Sequence, residues 1–482
     1  MGTNARRRPR AADHKLCRSG RGSRLMAKYL GLALVSSFMT TTGIAQDSLN
    51  MSLAARWHVD TIPATWMYGN VYNAVWGYVR DGHEYGIIGS TAGTHIIDVT
   101  NPPNITETAF IPGAFQGTDV VHREFKTYQD RLYAVTDEGI GTLQIIDLRW
   151  LPDSAPVTYN SNALFYRAHT LWIDTLHARL YTWAGSSQAA VYDISNPDQP
   201  ALLNDCEDDI PWWGSEIGWV HDGYVTDNVA YVNHMEGMAI VDFTNINAPQ
   251  LLGTLDNYPQ PGYNHSGWLH DNGWLYVMAD ETHGTDLKLF DVSDPNDIEF
   301  IDTIGVDLSE YSIPHNPHFH GDLLHVSYYY DGYWLWNVAD PANAQLLGFY
   351  DTSLEPHDDS YEGAWGVYPY LPSGRVLVSD MQRGLFVIDI SAAVSVAEES
   401  TLPAELRAIP NPTSEYVSFL GLGVVQQVDL VAADGKTRAV PFTAQSGRCT
   451  LDLSGVTDGV YVARIRAGGR VLSSRIVKQS VR

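Results

Sequence analysis

Histidine, tryptophan and glutamate side chains recur at the start of a repeated unit along this chain of 482 residues. The candidate metal ligands are His122, His169, His265, His315 and His318, and the candidate ligand-binding side chains are Trp76, Trp219, Trp268, Trp365, Glu216 and Glu362. Imidazole nitrogens and carboxylate oxygens together can ligate a transition metal. Indole faces beside carboxylates suit sugars or cationic groups. Either chemistry requires a fold that brings these residues together.

The unit that carries these residues has a period near 50 residues. Its most regular feature is an apolar run that ends in an acidic or amide residue, at Asp98, Asp147, Asp193, Asp242, Asp291, Asn337 and Asp389. Each unit reads as four short strands with turns between them, which is typical of β-propeller blades. The sequence therefore predicts an all-β chain with a seven-bladed β-propeller over residues 46–396.

The residues that end these apolar runs are predicted to form turns. A short carboxylate or amide accepts hydrogen bonds from nearby backbone N–H groups, and the proline that often follows fixes φ. We therefore interpret these residues as structural, and not as ligands.

The last unit lacks its own fourth strand. Residues 53–62, near the start of the chain, have the character of that missing strand. We predict that they complete the last blade, since such closure hides an exposed sheet edge.

In this fold the first strand of each blade lines the central channel, and the loop after the second strand returns to the face where the first strand begins. The sequence therefore predicts that the side chains named above converge at one mouth with those that end the second strands, namely Asp137, Glu138, His234, Glu236, Asp280, Glu281 and His283. Three interpretations stay open: packing of the channel, a divalent metal site, and a direct site for an organic ligand.

No short catalytic motif occurs in the sequence. It has no G-x-S-x-G, no H-E-x-x-H, no phosphate loop and no dinucleotide fingerprint. Propeller enzymes can gather catalytic residues from several blades, so this absence leaves the question of enzyme activity open.

The N-terminal 45 residues are predicted to be a leader. A start at Met26, an apolar run of 11 residues from Tyr29 to Met39 and small residues ending at Ala45 match a cleaved signal peptide. That run is too short to span a bilayer, and no other segment is long and apolar enough. The expected location is extracellular or on the outer cell surface.

Charge and cysteine content narrow the class of protein further. The net charge of the whole chain is −26. Because the leader carries +8 and residues 403–482 carry +4, residues 46–402 carry −38. Such a field repels nucleic acid and anionic membranes. Of the three cysteines, Cys17 lies in the leader, and Cys206 and Cys449 fall in different domains, so no disulfide is expected.

The C-terminal residues form a separate module, with a linker expected at 397–407 and a small β-sandwich of immunoglobulin-like type at 408–482. Its sequence carries PNPTSEYV from Pro410, DLSGVTDGVYVARI from Asp452 and RIVKQ from Arg475. This module resembles the type A sorting domain of the type IX secretion system of Bacteroidota. The resemblance implies export by that machinery, followed by removal of the domain.

The propeller segment resembles the LVIVD-repeat, choice-of-anchor B family. The resemblance rests on residues 73–102, 264–281 and 363–390, with Asn337 in place of the repeat aspartate as one departure. The family implies a propeller without an established catalytic activity. The leading hypothesis is a secreted or cell-surface binding module for a protein or carbohydrate, and the alternative is a metal-dependent hydrolase or lyase with a site rich in histidine and glutamate.

Overall fold

The computed structural model describes residues 47–235, 237–306, 308–395, 408–420, 425–432, 436–445, 448–467 and 470–480. The expected leader, with Met26 and Ala45, and the expected linker 397–407 lie outside the described residues, as does Glu236.

The first four antiparallel sheets contain four strands each, paired in chain order. Sheet 1 contains Tyr72–Arg80, His83–Ser90, Gly93–Asp98 and Thr106–Pro112, and sheet 2 contains Arg123–Tyr128, Arg131–Thr136, Leu143–Asp147 and Val157–Ser161. Sheet 3 contains Thr170–Asp174, Arg179–Trp183, Ala189–Asp193 and Ala201–Asp205, and sheet 4 contains Val220–Thr226, Val229–His234, Gly237–Asp242 and Gln250–Leu255.

Three further sheets follow, and two of them include strands from the start of the described chain. Sheet 5 contains Asn264–Leu269, Leu275–Asp280, Leu287–Asp291 and Glu299–Ile304. Sheet 6 contains Asn316–His320, Leu323–Ser327, Tyr333–Asn337 and Gln345–Tyr350, with Ser48–Leu49 as a fifth strand. Sheet 7 contains Ala364–Tyr368, Val376–Asp380 and Gly384–Asp389, and Ser52–Trp57 pairs with the last of these. The N-terminal strand in sheet 7 therefore ends at Trp57, five residues before the expected Ile62.

The first strands of these sheets contact one another in a closed cycle. Each first strand contacts the first strands of the preceding and following sheets, and that of sheet 7 contacts that of sheet 1. Sheets of four antiparallel strands arranged in this way around an axis form a β-propeller. The predictions of an all-β chain and a propeller are confirmed.

The third strands are buried between neighbouring sheets. Ile96 and Ile97 in sheet 1, and Leu287, Leu289 and Phe290 in sheet 5, have no exposed surface. A strand covered on both faces needs apolar residues at consecutive positions, which explains the continuous apolar runs of the repeat.

A turn follows each third strand, and the predicted turn formers make it. In all seven sheets the side chain that ends the third strand accepts a hydrogen bond of 2.7–3.0 Å from the backbone N–H two residues later. The structural interpretation of these residues is therefore confirmed, and Asn337 forms the bond as the aspartates do.

The C-terminal residues form two sheets with a core of their own. One sheet contains Tyr416–Leu420, Arg448–Asp452 and Phe442–Gln445, and the other contains Thr437–Ala439, Val425–Ala432, Gly459–Ala467 and Arg470–Lys478. Val417 and Leu451 of the first sheet share one hydrophobic cluster with Leu430 and Ile465 of the second.

Helices are short in the described part of the chain. The α-helices Cys206–Asp209 and Trp213–Glu216 span a single turn each, and Leu148–Trp150 and Pro341–Asn343 are 3₁₀ turns. No described helix has the length and apolar character needed to cross a membrane. Cys206 and Cys449 are buried free cysteines.

Candidate functional site

Six aromatic side chains form a closed ring where the first strands of sheets 2 to 7 begin. Its members, in sheet order, are His122, His169, His221, His265, His315 and Trp365. The centroids of neighbouring side-chain rings lie 4.0–5.1 Å apart, and Trp365 closes the cycle by contacting His122. We call this set the histidine ring.

β-Bulges help to aim these side chains at the axis. The pairing of first and second strands skips one residue at His221, at His265 and at Trp365. A bulge leaves the extra residue outside the regular ladder and redirects its side chain. In sheet 1 the skip falls at Asn73 and Ala74. The Ala74 methyl group is too short to extend between the aromatic rings, so sheets 7 and 2 supply neighbouring members of the ring.

Two imidazoles of the ring are held by carboxylates. Nδ1 of His122 lies 2.6 Å from Oε1 of Glu138, and Nδ1 of His169 lies 3.0 Å from Oδ2 of Asp137. Both carboxylates lie just after the second strand of sheet 2. Carboxylates that bind the Nδ1 side of an imidazole fix the orientation of its ring.

Two other imidazoles are held by backbone carbonyl groups. Nδ1 of His221 lies 2.8 Å from the carbonyl oxygen of His265, and Nδ1 of His315 bonds to that of Trp365. A carbonyl oxygen only accepts, so Nδ1 donates the proton in both bonds and Nε2 keeps its lone pair.

Burial keeps three of the imidazoles neutral. Desolvation lowers the pKa of His221 and of His265 well below the usual value, and the neighbouring imidazoles add to the effect. Burial also lowers the pKa of His315 to about 3. Neutral imidazoles are the form that binds metal ions.

Glu281 lies beside the ring, immediately after the second strand of sheet 5. Its carboxyl group accepts a hydrogen bond from the hydroxyl of Tyr329. Its Oε1 is 3.7 Å from Nε2 of His315, and its Oε2 is 4.0 Å from Nε2 of His265. Burial raises the pKa of Glu281 to about 7.

A cavity of about 360 Å³ opens over Glu281 and one side of the histidine ring. We call it the vestibule. It is lined by Tyr68, His122, Tyr263, Glu281, Thr282, His283, Tyr329, Tyr361 and Trp365. Apart from Trp365, which lies in the first strand of sheet 7, its wall is built from residues that precede first strands and residues that follow second strands, as the topology of the repeat predicts. The volume lies in the range of small-molecule sites.

Three groups of side chains in the described residues have ligand atoms within 4.8 Å of one another. The groups are His169–His221–His265, His122–Asp137–His169 and His265–Glu281–His315. In the second group, Asp137 already forms a hydrogen bond with His169. In the third group, the gaps between Glu281 and the imidazoles are too wide for hydrogen bonds.

A second aromatic set lies farther along the first strands, and we call it the aromatic layer. It contains Trp76, Trp172, Tyr224, Trp268, His318, Tyr368 and Tyr370, with Trp268 stacked 4.1 Å from His318. Lys126 places Nζ 4.4 Å from the centre of the Trp76 ring and 2.5 Å from Oε1 of Glu124. A cavity of about 50 Å³ lies between this layer and the histidine ring.

The structure brings together some of the predicted site residues and separates others. His122, His169, His265, His315 and Trp365 share the histidine ring. Trp76, Trp268 and His318 belong to the aromatic layer. The reason is spacing: Trp268 follows His265 by three positions, and His318 follows His315 by three positions, so both lie farther along their first strands than the ring residues.

Three further predicted residues lie outside both sets. Trp219 keeps 38% of its surface exposed and lines a separate pocket with Glu216 and His234. Glu362 precedes sheet 7, where burial and the nearby Glu355 and Asp358 raise its pKa. The expectation that all candidates meet at one mouth is therefore corrected: Glu216, Trp219 and Glu362 lie ahead of their first strands, outside both the histidine ring and the aromatic layer.

Sequence reasoning missed His221 and the tyrosines of the vestibule. The spacing of His221 from Tyr224 equals that of His265 from Trp268 and that of Trp365 from Tyr368. This spacing of three could have placed His221 in the ring in preference to Trp219. Tyr329 and Tyr361 lie in loops without a repeated pattern, so no signal marked them.

Comparison with known proteins adds only distant similarities. No family model and no curated protein matches the chain. The β-propeller domain of Cps50 (Swd1) from Myceliophteria thermophila is similar over 70% of this chain and 98% of its own, with 11% identity and a TM-score of 0.46.

Two other solved structures show similarity at the same level. The computationally designed Ika8 protein is 10% identical over 68% of this chain and 98% of its own, with a TM-score of 0.41. A protein from Lactobacillus plantarum is 10% identical over 78% of this chain and 96% of its own, with a TM-score of 0.46. Such distant similarities assign no ligand and no activity to this chain.

Proposed function

We propose that this chain is an exported, seven-bladed β-propeller that binds a carbohydrate in the vestibule above the histidine ring. The observation that carries the proposal is the vestibule itself, a cavity of about 360 Å³ lined by four tyrosines and an indole. Aromatic faces with a few polar groups between them are suited to the apolar faces and hydroxyl groups of sugars.

The polar groups of the vestibule complement the aromatic ones. Glu281 keeps 18% of its side-chain surface exposed, and the ring of His283 lies 5.3 Å from that of Tyr361. Tyr361 also makes edge contacts with Tyr68 at 5.9 Å and with Tyr329 at 5.6 Å. A sugar hydroxyl in this space has carboxyl, imidazole and phenol groups as hydrogen-bond partners.

Binding to an immobilised glycan array tests the proposal, followed by calorimetry with the glycan that binds best. We expect Tyr361→Ala to weaken that binding about fivefold to tenfold, since an aromatic contact contributes about 1 kcal/mol. Tyr370→Ala, which alters the aromatic layer, is the matched control and should bind as the wild type does. The absence of any bound glycan, or equal binding by the Tyr361 variant, would contradict the proposal.

Export and blade number belong to the same proposal. The seven repeats, and the cycle of contacts between first strands, support seven blades. The motifs at residues 410–417, 452–465 and 475–479 support a type IX sorting domain of immunoglobulin-like type. Removing residues 408–482 should keep the protein inside a cell that exports the full chain. Equal amounts of both forms in the medium or on the surface would contradict this role.

A metal-dependent hydrolase or lyase is the second candidate function. The observation that favours it is Glu281, whose pKa is raised by burial to about 7, beside the imidazoles of the ring. A carboxyl group of this kind exchanges protons at neutral pH. Zinc-dependent release of p-nitrophenol from p-nitrophenyl glycosides or acetate, lost in Glu281→Gln, would support hydrolysis. No release above the Glu281→Gln background would contradict it.

A further inference from the structure

His265, His315 and Glu281 face one another across gaps wider than a hydrogen bond. Nε2 of His315 lies 3.7 Å from Oε1 of Glu281, and Nε2 of His265 lies 4.0 Å from Oε2. Ligand atoms of all three side chains lie within 4.8 Å of one another. The trio is therefore close together without direct hydrogen bonds between the imidazole nitrogens and the carboxylate.

Nε2 of His315 is the most informative atom of this trio. It is buried and has no hydrogen-bond partner among the described residues. Because Nδ1 of the same ring donates to the carbonyl of Trp365, Nε2 carries a lone pair. A buried acceptor without a partner costs about 1–3 kcal/mol, so its persistence calls for a bound species.

The spacing of the trio fits a metal ion. In tetrahedral zinc sites the ligands lie about 2.0–2.2 Å from the ion, so two ligands lie about 3.3–3.6 Å apart. The two gaps to Glu281, 3.7 Å and 4.0 Å, need to shorten by about 0.1–0.7 Å to reach this geometry, and the ligand nitrogens of the two imidazoles lie within 4.8 Å of each other. Side-chain rotations of that size need no change in the backbone.

Groups around the trio hold the ligands in place. The carbonyl of Trp365 fixes the imidazole of His315, and the hydroxyl of Tyr329 bonds to Oε1 of Glu281. Outer hydrogen bonds of this kind orient metal ligands and set the tautomer of a ligating histidine.

We propose that His265, His315 and Glu281 bind one divalent transition-metal ion of the zinc class, with a further coordination position open to the vestibule. Imidazole and carboxylate ligands suit zinc, copper and nickel better than calcium or magnesium. The site goes beyond the proposed binding of a carbohydrate, since it needs no organic ligand to form.

The test uses the full chain produced without a histidine tag, stripped with EDTA and titrated with zinc chloride alone. We expect one zinc ion to bind per chain, and cobalt substitution to give visible absorption bands of a low-symmetry site. His315→Gln and Glu281→Gln should each weaken zinc binding tenfold or more. His318→Gln is the matched control, because His318 lies three residues after His315 and belongs to the aromatic layer. This variant should bind zinc as the wild type does.

Three outcomes would overturn the proposal. The first is wild-type protein that binds no zinc and shows no cobalt bands, which would mean that water fills the gap. The second is equal weakening in the His318 variant and the His315 variant. The third is full affinity in a folded Glu281→Gln protein. The wild-type zinc titration tests the proposal even if a variant fails to fold. Because this titration contains no sugar, its result does not depend on whether the carbohydrate proposal holds.

Discussion

Lys288→Met should destabilise the propeller by about 3 kcal/mol at pH 8. Lys288 and Asp280 form an ion pair of 2.9 Å in sheet 5, and neither side chain has any exposed surface. Removing one member of a buried pair leaves an uncompensated charge, which costs about 3–5 kcal/mol. Asp280 also accepts hydrogen bonds from the N–H of Gly262 and the hydroxyl of Tyr258, so we expect the lower end of that range.

The chain contains an internal reference for this magnitude. Asp380 ends the second strand of sheet 7 at the position that Asp280 occupies in sheet 5, but no lysine in the described part of the chain forms a salt bridge with it. Burial raises the pKa of Asp380 from 3.8 to about 6. That shift corresponds to about 3 kcal/mol for the ionised carboxyl group, in agreement with the estimate for Lys288→Met.

Tryptophan fluorescence during urea unfolding is the assay. All 14 tryptophans lie between residues 57 and 365, so the signal comes from the propeller. The loss of unfolding free energy in Lys288→Met should fall to about half at pH 5, because the unpaired Asp280, like Asp380, should then be mostly protonated. Adding Asp280→Asn should restore most of the stability. Arg149→Met is the control, because this arginine is half-exposed beside Asp147 and should contribute less than about 1 kcal/mol.

Two results would refute the reasoning about the buried pair. One is a loss below about 1 kcal/mol for Lys288→Met at pH 8, which is the contribution expected of an exposed pair. The other is the same loss at pH 5 and pH 8, since the cost is assigned to an ionised carboxyl group.

Three further predictions concern the fold. Because the pKa of Asp380 is raised in the folded state, its protonation stabilises the fold as the pH falls from 8 to 5. Asp380→Asn should remove about 1 kcal/mol of that gain in urea titrations, and an unchanged dependence of stability on pH would contradict this. Asp242→Ala should lower the free energy of unfolding by about 1 kcal/mol, because it removes the hydrogen bond that the side chain accepts from the N–H of Thr244. Asp242→Asn keeps an acceptor there and should lower it much less. Equal losses in the two variants would contradict the turn role. Deleting residues 47–57 should lower the midpoint of thermal unfolding by several degrees, because sheets 6 and 7 lose their outer strands. The control Leu53→Ala, which changes an exposed side chain, should leave the midpoint unchanged. An unchanged midpoint for the deletion would contradict this prediction.

The repeat pattern was sufficient to predict the sheets of the propeller. Its apolar runs match third strands that are buried on both faces, and the residues that end those runs all make the predicted turns. These features depend on local sequence and on burial, which leave a periodic signal. The fifth strand of sheet 6, Ser48–Leu49, has only two residues and left no such signal.

The site was predicted only in part because β-bulges change which face a side chain occupies. In a regular strand, residues three apart point to opposite faces. The bulge at His265 breaks that rule, so that His265 and Trp268 both line the channel. Periodicity cannot reveal a bulge directly, which is why His221 was passed over and why Trp268 was expected beside the histidines.

Sequence periodicity predicts even less about the vestibule. Tyr263, Tyr329 and Tyr361 occupy loops of different length, and their convergence depends on the radial arrangement of the sheets. Glu281 was expected at the mouth because it follows a second strand, and it lines the vestibule. Topology therefore predicts which loops meet, whereas the identity of the side chains that meet follows only from the coordinates.

X-ray diffraction from crystals of the full chain grown with zinc, measured on both sides of the zinc absorption edge, tests most directly whether the histidine ring is a ligand-binding centre. The expected anomalous map has one strong peak beside the histidine ring, about 2.0–2.1 Å from Nε2 of His265 and of His315 and next to Glu281. A map with peaks only at surface carboxylates, or with ordered water between these three side chains, would contradict the account.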